Sequence, residues 1–126
     1  MIERLVENFN EKVDAVFCGY SQFYDNGEKK FFSFEECEIC GEQIIESILK
    51  RGVFTAVWNK MFRKESLRRK DGSIIFYKEG ICVGEDFLWL VEVLQNCNFV
   101  RCIENPLYNR RMRNDSASGG YRLPHR

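Results

Sequence analysis

Residues 79–97, EGICVGEDFLWLVEVLQNC, decide how this chain is read. After Gly84 the apolar residues Phe87, Leu90, Val91 and Leu94 recur at three- and four-residue intervals, with Leu88 and Val93 widening the stripe. That period predicts a deeply buried amphipathic helix that opens at the adjacent acids Glu85 and Asp86. A carboxylate in the first turn of a helix is stabilised by the macrodipole by about 0.3–1 kcal/mol. Helix initiation therefore accounts for both acids without any chemistry. The same dipole favours an ionised carboxylate at neutral pH, which a proton acceptor also requires.

Outward from this helix, the pattern alternates between helical and extended periods. Ile2, Leu5, Val6 and Phe9 form one stripe of a short helix. It starts without a lead-in, which marks the chain as a piece of something longer. VDAVFCGYSQFY (13–24) is rich in β-branched and aromatic residues and predicts a strand. Asn26-Gly27 then supplies a tight hairpin turn, with KKFFSF (29–34) as the returning strand. Ile44, Ile45, Ile48 and Leu49 define a second helical face between Gly41 and Arg51, with a Glu46–Lys50 pair and a capping Gly52. A short extended piece follows, then a helical NKMFRKESLRR (59–69), a turn at Asp71-Gly72 and a strand SIIFY (73–77). Beyond the central helix, NFVRCIE (98–104) and PLYNRRMR (106–113) read as two strands broken at Asn105-Pro106. The last thirteen residues, NDSASGGYRLPHR, read as a mobile tail. The order α-β-β-α-α-β-α-β-β is that of a single mixed α/β layer.

Composition removes several classes of function. With 126 residues, 44% hydrophobic and 30% charged, the chain is globular and long enough for one core. Nineteen basic residues balance nineteen acidic ones, so bulk electrostatics does not support nucleic-acid binding. No apolar run approaches the roughly 20 residues that span a bilayer. The acid-bearing start, MIERLVENFN, resembles neither a signal nor a transit peptide. A cytoplasmic location, including the inner face of the membrane, is the expectation, with the six cysteines held as thiols.

Two further constellations have plain structural readings. Cys37 and Cys40 have the spacing of half a zinc site, yet Cys97 and Cys102 do not complete it, and the single histidine, His125, lies in the tail. The basic run RKESLRRK (63–70), interrupted by Glu65, reads as a solvated helix face. RRMR (110–113), beside Tyr108 and Ser116, has a composition suited to a small anion.

Taken together, AVWNKMFRKESL, IIFYKEG, GEDFLWLVEVLQNC and FVRCIENPLYNRRMRNDSAS follow one another at short spacings. This succession, over residues 13–118, resembles the C-terminal half of bacterial glycosyltransferase family 2 domains. The resemblance implies the acceptor side of a Rossmann-like GT-A fold in an inverting enzyme. It implies that Asp86 is the base that deprotonates the acceptor hydroxyl and that Glu85 supports it. Trp58 and Lys60, in the W-x-K segment, would shape the acceptor side. Arg110, Arg113 and Ser116 would close over the diphosphate. The intact enzyme would take a nucleotide-sugar donor, a glycan or lipid-linked acceptor, and a divalent Mn or Mg ion.

The chain departs from that family in having no Asp-x-Asp anywhere in its 126 residues. Residues 1–113 therefore correspond to a partial domain lacking the donor-binding half, with 114–126 as a flexible tail. On this reading the isolated chain is inactive, supplies no cofactor site and tends to self-associate. The rival reading is a small self-associating interaction module without catalysis. A zinc ribbon that binds nucleic acid ranks last, on charge and ligand spacing.

Overall fold

A computed structural model of the chain describes residues 1–40, 43–50, 56–81 and 83–113. Gly41, Gly52, Cys82, Ser116, the extended piece at 53–55, the tail 114–126 and the side chain of Ile48 lie outside the described residues. The elements in order are α1 (Ile2–Val6), β1 (Ala15–Phe23), β2 (Lys29–Phe32), β3 (Cys37–Cys40), α2 (Ile44–Lys50), β4 (Lys60–Phe62), a 3-10 helix (Lys64–Leu67), α3 (Glu85–Leu94) and β5 (Phe99–Arg111). They form a mixed α/β fold around one curled sheet.

β1 is the centre of that sheet. Eight of its nine residues are buried, Ser21 and Gln22 among them, as befits a strand covered on both faces. On one side it pairs in parallel with β5. On the other its first half pairs antiparallel with β4 and its second half with β2. β3 adds to the far side of β5, antiparallel. The hairpin between β1 and β2 forms at the expected turn. Gly27 has φ 86°, and the Asn26 side chain accepts the Glu28 N–H at 2.9 Å.

Helices cover both faces of this sheet. Ile44 of α2 and Leu90 and Leu94 of α3 pack with Ala15, Phe17, Ile39, Val100 and Cys102 on one face. Leu5 of α1 packs with Val13, Val16, Cys18 and Ile103 on the other. The Asp14 carboxylate accepts the Asn98 and Phe99 N–H groups at 2.6 and 3.0 Å, tying the starts of β1 and β5 together. The Glu46–Lys50 pair forms, at 2.5 Å. Among the α3 residues expected inside, Leu90, Val93 and Leu94 are buried, whereas Leu88 is exposed.

Three local expectations are corrected. Residues 59–69 are not one helix but β4 followed by a 3-10 helix. Backbone pairing with β1 outweighs local helical preference here, because Asn59 and Cys18 exchange hydrogen bonds through main chain and side chain. The segment SIIFY is not a paired strand; its only ladder contact is an isolated bridge from Ile74 to Arg68. Finally, Asn105-Pro106 does not divide two strands. β5 runs through it, and the register with β1 shifts on both sides of Gly19, so the proline sits at a bulge where its missing N–H is tolerated. Gly19 is required there, since an added Cβ would lie 2.6 Å from the Phe32 carbonyl oxygen and 3.0 Å from that of Glu104.

Candidate functional site

Asp86 owes its position to the periodicity of α3. Gly84, at φ 84°, turns the chain into the helix and offers no side-chain cap, so Glu85 and Asp86 occupy the first turn. Asp86, Trp89, Leu90 and Val93 are spaced i, i+3, i+4 and i+7 and share one stripe. Because Leu90 and Val93 are buried on that stripe, Asp86 comes to its outer end half-buried, where a carboxylate reaches both solvent and protein.

Lys60 lies on the sheet beneath. β4, β1 and β5 place Lys60, Phe17 and Cys102 in register across the sheet, and the ammonium sits 4.9 Å from the centre of the Phe17 ring. It donates to the Ala56 carbonyl and, at 2.8 Å, to Asn59 Oδ1. Asn59 is itself fully buried and donates to the Cys18 carbonyl at 2.7 Å. Burial pushes the Lys60 ammonium down to about 7, while the Cys102 and Cys18 thiols and the Asp86 carboxylate act in the opposite direction. Below about 7, where it keeps its proton, Lys60 thus lies in mutual attraction with the Asp86 carboxylate from inside the fold.

The segment 74–78 closes the outer side. Trp89 donates its indole N–H to the Ile75 carbonyl at 3.0 Å and stacks on Tyr77, with ring centroids 5.5 Å apart and planes 17° from parallel. Phe62 meets the same indole edge-on at 5.5 Å. The Arg69–Glu92 ion pair at 2.7 Å and bonds from the Asn96 amide to the Ser66 and Arg68 carbonyls hold the preceding loop against α3. This places the Tyr77 ring against Trp89, one helical turn from Asp86, close enough for its hydroxyl to sense the Asp86 carboxylate. Partial burial, the Asp86 charge, the hydrogen bond to Asp86 and the Glu85 charge push the Tyr77 phenol up to about 12, so at neutral pH it is a donor.

A second cluster borders the first through the short Trp58-Asn59-Lys60 turn. Trp58 stacks on Tyr108 at 4.3 Å and meets Tyr20 edge-on at 5.0 Å. Tyr20 in turn stacks on Phe32 at 4.7 Å. The Arg110 guanidinium lies over Trp58, 5.8 Å from the ring centre. The result is an aromatic surface edged by a cation, a combination suited to the apolar faces and hydroxyls of a sugar ring.

Of the residues singled out from sequence, the structure brings Asp86 into the field of Lys60, places Glu85 beside it, and joins Trp58 to Arg110. Arg113 is exposed just past the end of β5. Tyr77 and Asn59 were given no role, although Asn59 stood inside the W-x-K segment and Tyr77 inside IIFYKEG; Tyr108 was noted only as a neighbour of RRMR. Cys37 and Cys40 lie three apart on β3 and so point to opposite faces, which separates their thiols. No group of three or more potential metal ligands occurs among the described residues. A separate cleft of about 320 Å³ lies between Asn8, Glu36, Glu38 and Arg101, and its Arg101 and Glu38 are paired with each other. No helix among the described residues is long and apolar enough to cross a membrane. Comparison with protein-family models, with curated proteins and with solved structures gave no match.

Proposed function

We propose that this chain is the acceptor-side part of an inverting glycosyltransferase of the GT-A type, with Asp86 as its base. What supports the reading is the setting of Asp86: a half-buried carboxylate in the first turn of α3, with Lys60 beneath it, Tyr77 beside it and the Trp58–Tyr108 surface next to that group. Asp86 takes the proton of an acceptor hydroxyl. The freed oxygen attacks the anomeric carbon of a nucleotide-diphosphate sugar from the face opposite the diphosphate. The bond from that carbon to the phosphate oxygen breaks, the nucleoside diphosphate leaves with the electron pair, and the anomeric configuration inverts.

In this reading the residues that hold the donor, and the Mn or Mg ion on its diphosphate, belong to sequence outside these 126 residues. Glu85 supports the carboxylate, Trp58 and Tyr108 stack against the acceptor sugar, and Arg110, with Arg113 and Ser116, faces the diphosphate. Bacterial polysaccharide or glycoconjugate synthesis at the cytoplasmic face is the corresponding role. The test is release of nucleoside diphosphate by the chain expressed with its adjoining coding sequence, across a panel of nucleotide sugars with manganese. Acceptor-dependent release supports the reading; none with any donor opposes it.

A second reading, a self-associating interaction module, draws on the exposed apolar side chains Phe31, Phe76 and Val83. It does not exclude the first, because an incomplete sheet also favours association. Sedimentation of the isolated chain is expected to give dimers or larger species, and a clean monomer at high concentration opposes both the module and the partial-domain reading.

A further inference from the structure

We propose that Tyr77 is a positioning residue for Asp86: its hydroxyl donates to one carboxylate oxygen and leaves the other directed at the acceptor hydroxyl. This rests on the reading of Asp86 as the base. The geometry behind it is a chain of contacts from the sheet outward. Phe17 meets Phe62 edge-on at 6.0 Å, Phe62 meets Trp89, and Trp89 both stacks on Tyr77 and holds the Ile75 carbonyl. The start of the segment 74–78 is held by the Arg68–Ile74 bridge and by the Ile75 N–H donating to the Leu67 carbonyl at 2.9 Å, and beyond Ile75 the stack on Trp89 holds Tyr77 near the first turn of α3. Asp86 and Trp89 are one helical turn apart on the same stripe, so a ring stacked on the indole stands within reach of the carboxylate.

The arrangement gives the carboxylate two kinds of neighbour. Lys60 acts from the buried side, at a distance and through its charge. Tyr77 acts from the solvent side, with a directional bond. A carboxylate has two oxygens and about four acceptor sites, so one donor fixes its rotation without using up its capacity to accept a proton. Nucleophilic attack depends on alignment, and a carboxylate free to rotate in the first turn of a helix spends less time aligned. Tyr77 responds to Asp86 by charge and hydrogen bond and to Glu85 by charge alone, which distinguishes the two acids.

Two measurements test this. In the isolated chain, labelled at tyrosine, the Tyr77 ring carbon resonance is expected to shift as carboxylates are protonated at acid pH. Asp86→Asn should abolish that shift, and Glu85→Gln should leave most of it. A Tyr77 signal indifferent to Asp86→Asn overturns the contact. In the chain expressed with its adjoining coding sequence, Tyr77→Phe keeps the ring on Trp89 and removes only the hydroxyl. It should lower kcat about tenfold, the equivalent of one hydrogen bond to a charged group, with acceptor KM and melting temperature unchanged. In the Asp86→Asn background the same change should have no further effect. If Asp86→Asn is slow and Tyr77→Phe is harmless, or equally harmful in both backgrounds, the positioning role is wrong while the base survives. If Asp86→Asn retains the wild-type rate, the base reading falls and Tyr77 with it.

Discussion

Replacing Lys60 by Met changes how stability depends on pH. Lys60 is buried, and its ammonium is held at about 7 in the fold against an ordinary 10.5. Below about 7 both native and unfolded chains carry the proton, and the cost of burying the charge is fully present. Between about 7 and 10.5 the unfolded chain keeps a proton that the native state has released, so stability rises with pH. Integrating from about pH 7.5 to about pH 8.5 gives a gain of about 1 kcal/mol from this one group. The loss of donors to the Ala56 carbonyl and Asn59 Oδ1 lowers the stability of Lys60→Met, but by an amount independent of pH. Burial pushes the Cys18 and Cys97 thiols up in both proteins; Cys97 cancels in the difference, while Cys18, which the Lys60 charge lowers, is pushed up further in Lys60→Met. Urea unfolding of both proteins at the two pH values measures it. Wild type should gain about 1 kcal/mol more than Lys60→Met on going to the higher pH. Parallel behaviour of the two would show that Lys60 is charged and hydrated in the native state, and its coupling to Asp86 would then be screened away.

Gly19→Ala is expected to destabilise the fold by about 1–3 kcal/mol, because its Cβ would meet two backbone carbonyls that belong to neighbouring strands; unaltered urea unfolding would show that the β1–β5 bulge gives way. Calorimetry of the isolated chain with UDP- and GDP-sugars plus manganese is expected to show no tight binding, since no Asp-x-Asp occurs in its sequence. Micromolar binding would place the donor site within this chain and overturn the division into donor and acceptor halves.

Where the sequence pattern was self-sufficient, it was legible. The apolar run of β1, the Asn26-Gly27 turn, the Glu46–Lys50 pair and the inward stripe of α3 all follow from local period and turn chemistry. It failed where a long-range partner decides. Met61 and Phe62 face opposite sides of the sheet because β4 pairs with β1, and no helical or strand period over three residues reveals that. Ser73–Tyr77 has the composition of a strand but makes only a bridge and two backbone bonds with residues 67–69; the indole of Trp89, twelve or more residues away, holds its far end. Pro106 looked like an end and is a bulge, because β5 advances from Ile103 to Tyr108 while β1 advances only from Cys18 to Tyr20. The candidate site follows the same division. Glu85 and Asp86 were visible as a helix start, and only the ordered succession of four motifs gave Asp86 a chemical role. Tyr77 and the inward-turned ammonium of Lys60 depend on how three separate segments meet.

A base at Asp86 governs the rate, whereas a helix start governs only stability. The direct measurement is the rate of nucleoside diphosphate release by the chain expressed with its adjoining coding sequence, for wild type, Asp86→Asn and Glu85→Gln, with the melting temperature of each. Asp86→Asn should lower the rate by about 10²–10⁴-fold, the usual range for a positioned proton acceptor. Glu85→Gln should lower it less. Either substitution removes one charge from the first turn of α3, a change of at most about 1 kcal/mol in stability. An Asp86→Asn protein that keeps more than about a tenth of the wild-type rate contradicts the claim, and the two acids are then only the start of a helix.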